Sequence, residues 1–155
     1  MKNSWMVRAN PSNSNLLGIV FLDPKKVEWS FENGGKDVKE GDTVYFYLTG
    51  GSKDNKDIPF PYKIYKRFWF KGRVVQKVSK FSGKDFDIWT EEHRKTQENH
   101  TNIVIIEVET EMPLFQYNIT SGDLKNSQKY PGNKDVCLLE PEDVKMIERK
   151  INENK

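Results

Sequence analysis

A single cysteine, Cys137, is all that this chain of 155 residues offers for cross-linking, so no internal disulfide can form. The fold must be held by its core, and a reducing, intracellular setting is expected. No apolar run approaches the roughly 18 residues that span a bilayer, and Met1-Lys2-Asn3-Ser4-Trp5 has no feature of a secretory leader. A soluble, cytoplasmic protein without a membrane partner is the expectation. The two histidines, His93 and His100, share one charged stretch with no paired cysteine, which leaves a zinc site without its ligand set. No glycine-rich phosphate loop, dinucleotide fingerprint or nucleophile elbow occurs. No metal, no cofactor and no enzymatic activity are therefore expected, and Cys137, inside an apolar strand pattern, reads as an inert core residue.

Apolar residues are scarce too, at 35%, against 31% charged, which describes a small core under a heavily solvated surface. The length suits one domain. A formal net charge of only +2 argues against a protein that coats nucleic acid by charge alone. The signs are unevenly spread, however. Basic residues outnumber acidic ones from Lys53 to Lys84, whereas Asp87 to Glu111 and the C-terminus carry more acid. A nucleic-acid footprint needs local rather than global positive charge.

What is present begins with Gly41-Asp42-Thr43-Val44-Tyr45-Phe46-Tyr47-Leu48-Thr49-Gly50-Gly51. Glycines bound a run of β-branched and aromatic residues, the strongest strand signal in the chain. Val44, Phe46 and Leu48 alternate with Thr43, Tyr45 and Tyr47, so one face is apolar core and the other, amphipathic face meets something. Phe68 to Val75 and Ile103 to Val108 are its expected neighbours in the middle of a mixed or antiparallel sheet. Ser4 to Ala9 reads as a short first strand closed by Asn10-Pro11. Residues 12–15 are turn-like and cap the apolar run Leu16 to Leu22, and Asp23-Pro24 opens at most two helical turns. Val27 to Phe31 follows, broken by Asn33-Gly34-Gly35. Gly50 to Lys66 is a long polar and aromatic loop, of a length that is functional or disordered in compact domains. Thr90 is placed to cap a short helix over Glu91 to Gln97. Ser121 to Gln128 reads as a short helix or turn, and Val136 to Leu139 as a last buried strand. Pro141 then opens an amphipathic helix with Glu142 and Asp143 at its start and Val144, Ile147 and Ile151 on one face. Strands outweigh helices, which indicates an α+β domain around a strongly curved sheet or small barrel.

Trp5 and Trp69 lie inside strand patterns and read as core. Trp29 and Trp89 each sit at the edge of an element beside a small hydroxyl residue, Ser30 and Thr90. Such an indole either plugs a core edge or lines an open pocket, and pattern alone leaves both open. The cluster Lys63, Lys66, Arg67 and Lys71 among Tyr62, Tyr65 and Phe68 is equally two-sided: a solvated surface or a hold on a polynucleotide backbone.

Taken in order, Val7-Arg8-Ala9-Asn10, Val27-Glu28-Trp29-Ser30, Phe70-Lys71-Gly72-Arg73-Val74 and Ile88-Trp89 resemble the motif order of YTH domains. That order is a Lys-Ser-Asn strand end, a Trp-Ser pair, a Phe-Gln-Gly strand and a second cage tryptophan. Glu111-Met112-Pro113-Leu114 and Cys137-Leu138-Leu139-Glu140-Pro141 are similar to the family's Glu-Leu-Pro-Phe and Cys-Leu-Leu-Phe-Pro segments. The chain's size, the Gly41 to Tyr47 strand and the closing proline and helix resemble prokaryotic EVE domains still more. EVE and YTH are sister branches of the PUA-like superfamily.

The resemblance implies a PUA-like, mixed, strongly curved β-barrel over residues 1–151, flanked by short helices and a C-terminal helix, with a charged tail at 152–155. It implies a non-catalytic module that binds a flipped-out modified base in an aromatic cage, with N6-methyladenine expected first and modified cytosine second, in DNA or RNA. Trp29 and Trp89 fall on the cage tryptophans, Asn10 on the asparagine that bonds the base edge, and Ser30 on the serine whose backbone reads the modified amine. Arg8 matches a lysine placed for a phosphate, and Lys63, Lys66, Arg67 and Lys71 are assigned to the backbone. The stretch between Asn10 and Trp29 is longer than in YTH domains, the second asparagine falls among Asn13, Ser14 and Asn15, and no third cage aromatic follows Trp89. Similar modules form the reading domain of Mcr-type modification-dependent restriction GTPases, so a fused or associated GTPase joins nucleic acid as an expected partner of an otherwise monomeric domain. The alternatives are a PUA-like RNA-binding module without modified-base selectivity and, more distantly, a cryptic hydrolase.

Overall fold

The computed structural model describes residues 2–9, 25–32, 34–49, 66–80, 95, 97–111, 113–126 and 136–153. Its strands are β1 (Ser4–Ala9), β2 (Lys26–Ser30), β3 (Thr43–Leu48), β4 (Arg67–Val78), β5 (Ile103–Glu109) and β6 (Val136–Leu138). Two 3-10 turns, Leu114–Tyr117 and Ser121–Asp123, and one helix, α1 (Pro141–Glu153), complete the described elements. The apolar run at 16–22, the Asp23-Pro24 helix start, the expected helix over 91–97, the loop tip at 50–65 and the Ile88-Trp89 edge fall wholly or largely outside the described residues.

One six-stranded sheet runs β2-β5-β4-β3-β1-β6. β1 pairs with β3 in parallel, and the other neighbours are antiparallel. The three strands expected in the middle, β5, β4 and β3, are consecutive there. The sheet is rolled, as one ring contact demonstrates. Trp5 in β1 and Phe31, just past β2, meet edge to face at 5.9 Å between centroids. In a flat sheet those strands would stand about 19 Å apart, four spacings of roughly 4.8 Å. All six strands therefore send residues into one inner cluster that includes Val7, Trp29, Phe46, Trp69, Ile106 and Val136. The expected barrel is nevertheless not closed. Among the described residues β2 and β6 remain edges with no ladder between them.

The outer face is also buried. Met6, Tyr45, Tyr47, Phe68, Cys137, Leu139, Ile147 and Ile151 form a second cluster beneath α1 and the 3-10 turns. The amphipathic face of β3 thus meets the chain's own helix: Tyr45 Oη donates to Glu148 Oε1 at 2.5 Å. α1 begins where Pro141 needs no amide partner, and it runs to Glu153. Buried Asp143 accepts the backbone amides of Lys125 and Asn126, fastening the helix to the preceding turn.

Two irregularities shape β4. Tyr47 pairs with Phe68 and Phe46 with Phe70, which leaves Trp69 as an extra residue. Such a bulge lets Trp69 and Phe70 both enter the inner cluster. Gly72 is required by close approach, because a Cβ there would lie 2.7 Å from both Glu107 O and Ile106 Cγ2.

Asp42 locks the start of the parallel pair. It is 1% exposed, accepts Asn3 N on Oδ1 at 3.0 Å, and accepts Trp5 Nε1 at 2.9 Å and Lys39 N at 3.0 Å on Oδ2. Asp42→Ala would strand these donors and should cost about 3 kcal/mol or more, a large part of a domain's margin. Urea unfolding should show the lower midpoint at an unchanged slope, with Asp42→Asn recovering part. An unshifted midpoint for Asp42→Ala would contradict the locking role.

Candidate nucleic-acid interface

Alternation along β2 divides the expected site. Val27 and Trp29 turn inward, and Glu28 and Ser30 turn to the other face. Trp29 is 3% exposed and lies edge to face with Phe46 at 5.4 Å between centroids. Of the two roles left open for it, the described geometry is that of an indole seated in the core. Trp89, Asn10 and Lys63 lie outside the described residues. Asn10 directly follows Ala9, whose carbonyl accepts Thr49 N at 2.9 Å and Thr49 Oγ1 at 3.3 Å.

Ser30 sits in a network that sequence reasoning missed. Its Oγ lies 2.7 Å from His100 Nδ1 and accepts the Glu32 amide at 3.3 Å. A hydroxyl keeps a second lone pair as well as its proton, so either atom of the Ser30–His100 contact can be the donor. Glu32 Oε2 in turn accepts Thr101 N at 3.1 Å and Asn102 N at 2.9 Å. The Asn102 amide above all, with that of Thr101 and the charges of His100 and Lys36, holds the Glu32 carboxyl below its usual range against a desolvation effect. Asn102 Nδ2 donates to Phe31 O at 3.2 Å and Gly35 O at 3.1 Å, and Phe31 N donates to Asn102 O at 2.8 Å. The only sequence signal was the polar turn His100-Thr101-Asn102 just ahead of an apolar strand.

The assigned cations divide as well. Ala9, Leu48 and Arg67 are successive partners across β1, β3 and β4, which brings Arg8, Lys66 and Arg67 to one end of the sheet. Lys66 is exposed, at a left-handed φ of 63°. Arg67 Nη1 donates to Phe115 O at 3.3 Å, and Lys71 Nζ pairs with Glu148 Oε1 at 2.5 Å, 5.7 Å from the Tyr45 ring centre. Arg67 and Lys71 thus hold the fold together themselves. An open outer groove places Lys25, Lys71 and Arg73 against Glu107, Glu109 and Glu111. Equal numbers of each sign give a polyanion as much repulsion as attraction there.

Cys137 is 6% exposed, and burial pushes its thiol from 9.0 up to about 11, with the Arg8 charge pulling the other way. Among the described residues no helix is long and apolar enough to cross a membrane, and no three histidine, cysteine or acidic side chains gather where a metal ion would be held.

No family model matches the sequence, and no curated protein matches it. Solved structures do. A hypothetical protein from Leishmania major is similar over 100% of this chain and 98% of its own, at 14% identity and a TM-score of 0.57. Human THYN1, solved in complex with 5-methylcytosine-containing DNA, is similar over 96% and 98%, at 12% identity and a TM-score of 0.55. The N-terminal domain of Staphylothermus marinus McrB is similar over 96% and 94%, at 10% identity and a TM-score of 0.52. These likenesses establish a fold shared with those structures along nearly the whole chain.

Burial of Cys137 has a consequence at alkaline pH. The folded thiol keeps its proton to about 11 whereas an ordinary thiol loses it near 9.0, so stability should fall as pH rises between those values and be unaffected below them. Tyr45, whose phenol is pushed up by burial and then by Glu148, adds to the loss at the upper end. Urea midpoints between pH 8 and 11 should therefore decline less steeply in Cys137→Ala. Equal slopes would show that the thiol is not titrating as described.

Proposed function

We propose that this chain is a non-catalytic DNA-binding module that recognises a flipped-out modified base. The observation that carries the reading is end-to-end likeness of fold to a protein solved on 5-methylcytosine DNA and to the McrB N-terminal domain. Those two relatives bring 5-methylcytosine level with N6-methyladenine as the base to test, and they favour DNA over RNA. They also support a link to a modification-dependent restriction GTPase, fused or associated. In this reading residues 1–151 are the reading domain, Trp29 and Trp89 stack the base, Asn10 bonds its edge, and Ser30 borders the modified group.

Stacking on an aromatic ring contributes roughly 1–3 kcal/mol, whereas one buried methyl adds only about 0.8 kcal/mol. Selectivity therefore depends on polar groups left unpaired by the wrong base, and for a methylated amine on cheaper flipping.

The burial of Trp29 favours a second reading, a PUA-like RNA-binding module without a cage. Titrations of matched modified and unmodified DNA and RNA oligonucleotides separate the two. Asn10→Ala should lose roughly 1–3 kcal/mol on the modified ligand alone. Lys63→Ala with Lys66→Ala should weaken every ligand and lower the salt slope by about one unit per lost phosphate contact. Arg67 and Lys71 are left intact because they hold the fold. Preference for unmodified RNA, or an Asn10→Ala loss shared equally by all ligands, would replace the base-reading proposal with the second one.

A further inference from the structure

The contact between His100 and Ser30 stands apart from the ties around it. Glu32 and Asn102 already join the backbone of 101–102 to that of 31–35, through two accepted amides, two donated side-chain bonds and the Phe31 amide. To that clamp the His100 side chain contributes its charge beside Glu32. Its Nδ1 is aimed at one side chain, the hydroxyl of Ser30, at 2.7 Å. Ser30 is 7% exposed and adjoins Trp29. The clamped segment is also the one into which the Trp89-bearing stretch runs in sequence.

We propose that His100 is a positioning residue for modified-base selectivity, fixing Ser30 and with it the end of β2 that carries Trp29. The proposal rests on the base-reading function above. The Ser30 hydroxyl accepts from the Glu32 amide and lies 2.7 Å from His100 Nδ1, so its rotor is set by two partners rather than one; in the proposed arrangement it donates to Nδ1. Removing the imidazole frees the rotor and leaves the clamp standing. The loss therefore falls on recognition rather than on folding. Nothing in the role requires His100 to touch the base.

The test uses the full chain and four variants: Ser30→Ala, His100→Ala, His100→Asn, and Ser30→Ala combined with His100→Ala. The probes are duplexes carrying 5-methylcytosine or N6-methyladenine, with unmodified controls. His100→Ala should lower the ratio of modified to unmodified affinity about three- to tenfold, the worth of one hydrogen bond, with little change in urea midpoint. His100→Asn should restore most of the ratio, because its Oδ1 can accept from the Ser30 hydroxyl. The double variant should be no worse than either single one, as for two members of one contact. In the free protein, imidazole nitrogen resonances should show the proton on Nε2, and Ser30→Ala should abolish that preference. A ratio unchanged in His100→Ala, or an Asn variant as poor as the Ala variant, overturns the positioning role alone. Absence of selective binding by the wild type, with the Nε2 tautomer intact, overturns the base-reading function and this role with it.

Discussion

Trp5 and Phe31 touch although three strands separate β1 from β2 in the sheet, and that contact requires the sheet to roll. The chain leaves β1, lays β2 at the far edge, and returns to place β3 parallel to β1. A parallel neighbour cannot be reached by a tight turn, so the path from Asn10 to Asp42 is a crossover. Asp42 stands at its end and fastens three things at once: the indole of Trp5, the amide of Asn3, and the turn at Lys39. Its own carbonyl accepts the Val74 amide at 2.8 Å, so the same residue ties β4 to the start of β3.

Rolling the sheet while covering much of its outside with α1 fills the inner face and leaves the outer one open only at the groove along β4 and β5. The inner cluster holds three of the four tryptophans, and the outer one holds both tyrosines of β3. A ligand therefore meets the sheet at the strand ends or in that groove. Charge follows the same logic. Lys71 is consumed by Glu148, and Arg67 by the Phe115 carbonyl, because cations beside a partly buried seam are more useful as partners than as free charge. The outer groove is charge-balanced.

Strand identity was legible because the alternation in Thr43–Leu48 and the β-branched run at Ile103–Glu109 admit one reading each. The C-terminal helix was legible for the same reason, through Pro141, its acidic first turn, and the stripe of Ile147 and Ile151. Three features were not. What the tyrosine face of β3 would meet was unknowable from β3 itself, because its partner Glu148 lies a hundred residues on. The extra residue at Trp69 was hidden, since Phe68-Trp69-Phe70 is apolar on any register. The His100–Ser30 contact is long-range and polar, and neither residue type announces its partner. Trp29 was legible as an edge residue, yet the choice between plug and pocket depended on Phe46, which sequence order does not bring near.

The burial of Trp29 also constrains how a base could be read. Opening one aromatic contact costs about 0.5–1.5 kcal/mol, and stacking a base returns roughly 1–3 kcal/mol. The exchange at the indole is thus nearly balanced, before a few kcal/mol for unstacking the base from its duplex. A site with so little surplus cannot hold an ordinary paired base by stacking alone. Net binding then requires polar groups that match one base edge, together with phosphate contacts that are indifferent to sequence. Under the proposed function those tasks fall to different places. The ends of β1 and β4, with Arg8 and Lys66, serve the backbone, and the clamped end of β2 serves the base. A small surplus at the tryptophan is what allows the polar contacts to decide, because a cage that gained much more from stacking would accept any base that flipped.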